Sequence, residues 1–260
     1  MSSQMKKMLN KVPEITIYFW IIKILCTTVG ETGADYLTYN MHLGLIDTTL
    51  IMTVLLGIAL FFQFKIKKYV PGIYWLTVVL ISIVGTLITD DLTDHFKVPL
   101  ELSTAVFGCG LAGVFAVWYA VEKTLSIHTI YTVRREAFYW LAILLTFAVG
   151  TAAGDLVAER FNLGYPLSAL IFAGLIAATA AVHYFLKPNA IATFWIAYIL
   201  TRPQGASIAD YLVQSKQNGG LGLGTVPVNL FFFMAILGMV TYLSVTKNDS
   251  PRENLDKGLS

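Results

Sequence analysis

The chain has 260 residues, of which 56% are hydrophobic and 13% charged; its net charge is +2 and its mean hydropathy +0.68. Soluble domains carry about 25% charged residues, so this balance excludes a water-soluble globular fold, and the thin scatter of basic residues excludes a nucleic-acid-binding surface. A bilayer core about 30 Å thick needs roughly 20 apolar residues per helical crossing.

Eight such stretches follow one another, at 15–36, 46–64, 72–91, 101–121, 137–157, 165–186, 191–212 and 227–246. The first follows Lys6, Lys7 and Lys11 and so has the layout of a signal peptide. It is too long for one, and its pattern returns three times, so it reads as a retained first span. The expected fold is all-α: a polytopic membrane protein with eight transmembrane helices in a single domain over 15–247. Residues 1–14 form a cytoplasmic N-terminal segment, and the hydrophilic stretch 248–260 is expected to be a disordered cytoplasmic tail.

Orientation comes from Lys and Arg. One side of the expected topology carries thirteen of them: Lys6, Lys7, Lys11, Lys65, Lys67, Lys68, Lys123, Arg134, Arg135, Lys187, Lys247, Arg252 and Lys257. The other carries three, Lys97, Arg160 and Lys216. The positive-inside rule then places both termini in the cytoplasm. Cys26 and Cys109 fall inside spans far apart in sequence and read as small packing residues, not as a disulfide or metal pair.

The strongest signal is internal repetition. Trp20, Gly30 and Asp35 recur in fixed register as Trp75, Gly85 and Asp90, as Trp140, Gly150 and Asp155, and as Trp195, Gly205 and Asp210. Each Trp follows Phe19, Tyr74, Tyr139 or Phe194, and each Asp precedes a polar loop and then a plain apolar helix. The units run approximately over 15–71, 72–134, 135–190 and 191–247. The runs YFWIIKILCTTVGETGADYL, VGTLITDDLTD, VGTAAGDL and FWIAYILTRPQGASIADYL resemble a family of bacterial membrane proteins built from four tandem two-helix repeats with a signature tryptophan. The resemblance covers roughly 14–247 and implies topology; the repeat is one of unknown function, so it implies no activity. Two spans per unit keep successive units parallel, related by an axis along the membrane normal. The expected arrangement is pseudo-fourfold or, because Ala34–Leu37 and Ala209–Leu212 share Ala-Asp-Tyr-Leu, a pair of pairs.

The odd spans carry the chemistry. Lys23, Thr27, Glu31 and Asp35 are spaced by four, which places them in a slowly drifting row on one helix face. Ser82, Thr86, Asp90 and Asp94 repeat the row, Thr151, Asp155 and Glu159 continue it, and Arg202, Asp210 and Gln214 complete it with Ala206 in the gap. Such faces turn away from lipid, since an ionised side chain at mid-span costs at least ~2.5–3.5 kcal/mol on insertion scales. The step from Trp to Asp covers about 22 Å of helix, so the Trp residues belong near the cytoplasmic interface or between helices, and Asp35, Asp90, Asp155 and Asp210 form a ring toward the external mouth. Gly30, Gly85, Gly150 and Gly205 permit tight helix contact or a local break. Gly57, Gly108, Gly110, Gly113, Gly174 and Gly238 in the even spans also suit close packing. An Asp after an apolar span can simply mark the helix end, although it is poorly placed against the helix dipole there. Lys23, Glu31 and Arg202 each occur in one unit only and are candidates for specificity; the alternative is that Lys23 and Arg202 neutralise the Asp ring or Glu31. Pro203 should bend or break the seventh helix.

Three functions follow as expectations. The first is a transporter or channel-like pathway for a small cation: Asp, Glu and Thr oxygens suit hard ions such as Mg²⁺ or Mn²⁺, or protons, with the four repeated Asp residues as the metal set. Any metal would be substrate; no cofactor is expected, and the lipid bilayer is the other partner. The second is a membrane scaffold or sensor whose polar rows only hold helices together. The third, an intramembrane enzyme, rests on the Gly154-Asp155 pair alone, because no zinc-binding His-Glu-x-x-His, nucleophile elbow or phosphate loop is present.

Overall fold

A computed structural model of the chain describes residues 10–250, and among these it has eight long helices and no strand. They are α1 (Ile17–Asp35), α2 (Leu45–Lys65), α3 (Pro71–Asp90), α4 (Leu100–Glu122), α5 (Val133–Asp155), α6 (Tyr165–Leu186), α7 (Ala190–Val213) and α8 (Thr225–Thr246). Six of them, α2 to α6 and α8, are long and apolar enough to cross a membrane. The helices α1 and α7 fall outside that set; Lys23, Glu31 and Asp35 in one, and Arg202 and Asp210 in the other, lower their hydropathy.

The order of packing is cyclic. Helix α1 contacts α3, α3 contacts α5, α5 contacts α7, and α7 returns to α1. Each even helix lies mainly on the odd helix of the following unit: α2 on α3, α4 on α5, α6 on α7 and α8 on α1. The odd helices are therefore the inner ring. In α3, 78% of the apolar window is buried, against 6% in α6 and 17% in α4, which is why the even sequences need no polar face.

The repeated glycines are where neighbouring odd helices touch. A Cβ at Gly30 would lie 1.8 Å from Ser82 Oγ, one at Gly85 2.5 Å from Phe147 Cβ, one at Gly150 2.4 Å from Arg202 Cγ, and one at Gly205 1.7 Å from Thr27 Oγ1. Each glycine meets the residue three positions before the next unit's glycine, so tight contact and not a helix break is its role. The aromatic pairs close the same cycle: Phe19 packs on Trp75, Tyr74 on Trp140, Tyr139 on Trp195, and Phe194 on Trp20, with ring centroids 5.7, 5.5, 6.2 and 5.8 Å apart. The tryptophans pack between helices; Trp75, Trp140 and Trp195 are buried, and Trp20 is half-buried.

The even-helix glycines behave differently from expectation. Gly57, Gly113, Gly174 and Gly238 have open space where a Cβ would go, and Gly108 and Gly110 make only ordinary contacts. They lie on the outer layer, where no second helix presses on them. Pro203 also departs from expectation, because α7 runs unbroken through it. Its ring sits against Gly150 and Gly154 of α5, so the residue shapes a helix contact.

Asp35, Asp90 and Asp155 are not helix ends. Each is followed by a wider π-helical turn, Tyr36–Asn40, Asp91–His95 and Leu156–Arg160, which removes the expected conflict with the helix dipole. The chain then turns through His42, Lys97 or Asn162 in the left-handed region.

At the opposite end the first described residues cross the base of the bundle. Lys11 N–H donates to Ile130 O at 3.0 Å, Tyr69 N–H to Asn10 O at 3.2 Å, and Glu14 N–H to Asp249 O at 2.9 Å. The Lys11 ammonium is buried against Glu136 at 2.5 Å. Residues 10–14 are thus part of the packed body. Within the stretch expected to be a disordered tail, Asp249 is instead fully buried and accepts a hydrogen bond from the Tyr69 hydroxyl. Residues 1–9 and 251–260 lie outside the described residues.

Candidate functional site

Spacing by four along each odd helix, combined with the cyclic packing, stacks one residue per unit into layers along the bundle interior. The lowest layer, nearest the termini, is Phe19, Tyr74, Tyr139 and Phe194, in which the Tyr74 and Tyr139 hydroxyls share a hydrogen bond at 2.5 Å. Above it lie Lys23, Val78, Ile143 and Tyr198, all wholly buried. The next layers are Thr27, Ser82, Phe147 and Arg202, then Glu31, Thr86, Thr151 and Ala206, and then Asp35, Asp90, Asp155 and Asp210.

Arg202 organises the middle. It is fully buried, and its Nη2 donates to Glu31 Oε2 at 2.6 Å, to Thr151 Oγ1 at 2.7 Å and to Thr86 Oγ1. Nη1 reaches the Thr27 carbonyl at 3.5 Å. Its three side-chain partners hold the same position in the other three units, one residue after the repeated glycine. A single guanidinium therefore ties all four odd helices together, with the two Nη2 hydrogens shared among Glu31, Thr151 and Thr86 and Nη1 directed at the Thr27 carbonyl. The Thr86 hydroxyl hydrogen points to the Ser82 carbonyl at 3.1 Å or to Glu31 at 3.3 Å.

Lys23 lies one layer down. Its amine finds no hydrogen-bond acceptor among the described residues and sits 4.2 Å from the Phe147 ring centroid and 4.3 Å from that of Tyr198. Ring quadrupoles take the place of a carboxylate. Lys23 does not neutralise the Asp ring, contrary to one expectation; Arg202 takes Glu31 instead.

Above Arg202 the interior opens into a cavity of about 500 Å³ at the end of the bundle away from the termini. All four repeated aspartates line it, together with Glu31, Asp94, Glu159 and Gln214. Of the residues singled out from sequence, Glu31, Asp35, Asp90, Asp94, Asp155, Glu159 and Asp210 are brought together there. Thr86, Thr151 and Arg202 are wholly buried beneath the cavity and do not line it. Ser82 and Thr27 are packing residues against Gly30 and Gly205, and Lys23 lies below Arg202. Among the described residues no group of three or more His, Cys, Asp or Glu side chains is close enough to hold a metal ion. Asp35, Asp90, Asp155 and Asp210 line a space between four helices and do not converge on one point, so the expected metal set is not a preformed cage.

Tyr39 and Thr93 also line the cavity and were not among the sequence candidates. Tyr39 follows Asp35 by four, the position held by Asp94, Glu159 and Gln214 in the other units, so the register marks it once the layers are known. A Cβ at Gly154 would make ordinary contact with Pro203, 3.5 Å away.

An inner ring of helices with a charged interior, wrapped by apolar outer helices, defines a multi-pass membrane protein with four repeats. The chain belongs to the family described as Repeat of Unknown Function (DUF347), matched four times, over 18–69, 73–124, 138–189 and 193–249. No curated protein and no solved structure matches it.

Proposed function

We propose that the protein is a transporter for a hard cation in a bacterial cytoplasmic membrane, with eight spans in pseudo-fourfold arrangement and both termini cytoplasmic. One observation carries this reading: carboxylates from the inner helices converge on one cavity, and that cavity ends on a buried ion pair. A low-dielectric mouth lined by one sign of charge concentrates cations. The lining suits an ion that keeps part of its water shell, as Mg²⁺ does and as Mn²⁺ can, or protons held by the carboxylates. Glu31 belongs both to the cavity and to Arg202. A cation that takes Glu31 releases the guanidinium holding the four helices together, which links ion entry to a change in their packing. With the termini inside, the cavity opens outward and the aromatic layers close the inner half.

The test is flux in proteoliposomes, followed separately for Mg²⁺, Mn²⁺ and protons with ion-sensitive dyes. The variant Asp90→Asn/Asp155→Asn should reduce flux strongly while the protein stays folded. Unaltered flux, or none in the unsubstituted protein, favours the scaffold reading, which the tightly packed inner half supports.

A further inference from the structure

The four seams between outer and inner helices are not equivalent. Position for position, counted from the residue before each even helix (Gly44, Pro99, Gly164, Gly224), one site holds Gln63, Trp118, His183 and Leu243. Another, one turn earlier, holds Leu60, Phe115, Ala180 and Val240. Gln63, Trp118 and Leu243 are buried, whereas His183 is exposed. In unit two, Phe115 and Trp118 lie against Trp195, with ring centroids 4.9 and 5.9 Å apart. In unit three, the small Ala180 and the short His183 leave the matching space open. The result is a groove of about 440 Å³ between α6, α7 and α1, in which Ala180 and His183 face Trp20 and Phe194. This gap accounts for Trp20 being the one repeated tryptophan left half-buried.

The groove is apolar along its length and ends at basic groups. His183 also lines an adjoining pocket with Lys187 at the end of α6 on the side of the termini. A slot of that volume is in the range that holds a small ligand, it faces the membrane hydrocarbon, and basic pockets between spans on the cytoplasmic side are suited to anionic headgroups.

We propose that this seam is a binding site for an anionic phospholipid, with one acyl chain against Trp20 and Phe194 and the phosphate at Lys187 and His183. The site rests on membrane insertion with the termini cytoplasmic, and not on the transport reading. Charge complementarity selects the lipid: a zwitterionic headgroup gains less from Lys187, and an apolar protein segment gains nothing from it.

The full chain is reconstituted in nanodiscs containing phosphatidylcholine and phosphatidylglycerol, released in the mass spectrometer, and scored for retained lipid. The unsubstituted protein should keep one phosphatidylglycerol in preference to phosphatidylcholine. Ala180→Phe/His183→Trp, which installs the unit-two pair, should lose it. Lys187→Gln, on an exposed residue, should keep a lipid but lower the headgroup preference roughly fivefold. Should the filled variant fail to fold, quenching of tryptophan fluorescence by brominated phosphatidylglycerol decides, since Trp20→Phe should remove the quenched fraction. The proposal is overturned by a folded filled variant that keeps its lipid, by a headgroup preference indifferent to Lys187→Gln, by quenching indifferent to Trp20→Phe, or by a protein dimer that the filled variant abolishes.

Discussion

Replacing Glu31 by Gln should cost more stability than replacing Arg202 by Met, although the two side chains form one ion pair. Removing one partner of a buried pair typically costs about 3–5 kcal/mol, because the other charge stays behind uncompensated. Arg202 is wholly buried and Glu31 is 8% exposed at the side chain, and that small difference decides the sign of the asymmetry. In Glu31→Gln the guanidinium keeps only neutral oxygens, from the new amide and from Thr86, Thr151 and Thr27, and it does not itself line the cavity. The full ~3–5 kcal/mol is expected. In Arg202→Met the carboxylate is left at the cavity wall, where it can recruit water or take up a proton. Methionine also retains the Cβ and Cγ that pack on Gly150, so about 1.5–3 kcal/mol is expected, the net value of a charged hydrogen bond. The double variant should recover most of the larger loss. Equilibrium unfolding in mixed micelles with increasing dodecyl sulfate, followed by tryptophan fluorescence, measures all three. The argument fails if Arg202→Met costs as much as Glu31→Gln, or if the two losses simply add.

The remaining predictions concern helix contact and the chain ends. Gly85→Ala should destabilise by ~1–3 kcal/mol through overpacking, because its Cβ would meet Phe147 Cβ at 2.5 Å and the Ala148 backbone nitrogen at 3.3 Å. Gly57→Ala, with open space around it, should be neutral or stabilising by up to about 1 kcal/mol from helix propensity; equal effects of the two substitutions on detergent melting temperature would contradict the contact model. Burial holds the Asp249 carboxyl above its ordinary pKa, opposed in part by the Tyr69 hydroxyl bond. A carboxyl raised in this way stabilises fully below its unfolded pKa, and that contribution is lost as pH rises through the folded one. The unsubstituted protein should therefore match Asp249→Asn in melting temperature at acid pH and fall below it toward neutrality. A constant difference across that range would show that Asp249 does not titrate in its buried setting.

Much of the architecture was legible because duplication left it in register. The invariant steps from Trp to Gly to Asp located the four units, and the spacing by four from Lys23 to Asp35 and from Ser82 to Asp94 identified the faces that turn inward. Hydropathy alone could not reveal that α2 packs on α3 and leaves α1 almost untouched, since an apolar outer helix has no preferred face and fits either neighbour. The glycines show the same limit. Gly85 and Gly57 look alike in sequence, and only the position of the next helix separates a contact from open membrane surface. Asp249 and Lys11 were assigned to solvent because single polar residues at chain ends carry no periodic signal, and their burial comes from contacts with distant loops.

The departures from symmetry divide by layer. Where units touch, at the glycines and at the aromatic pairs, every seam repeats the same contact with a different side chain, so the ring tolerates Ser82, Phe147, Arg202 or Thr27 against the glycine. At the layer above, three units offer an oxygen, Glu31, Thr86 and Thr151, and the fourth offers Ala206, the one small residue in the layer occupied by Arg202's ligands. Placing the arginine on α7, one turn below Ala206, fills the centre of that layer from within the protein and leaves the four aspartates above it without a permanent counterion. That difference makes the half of the bundle away from the termini acidic and open while its middle is neutralised and closed.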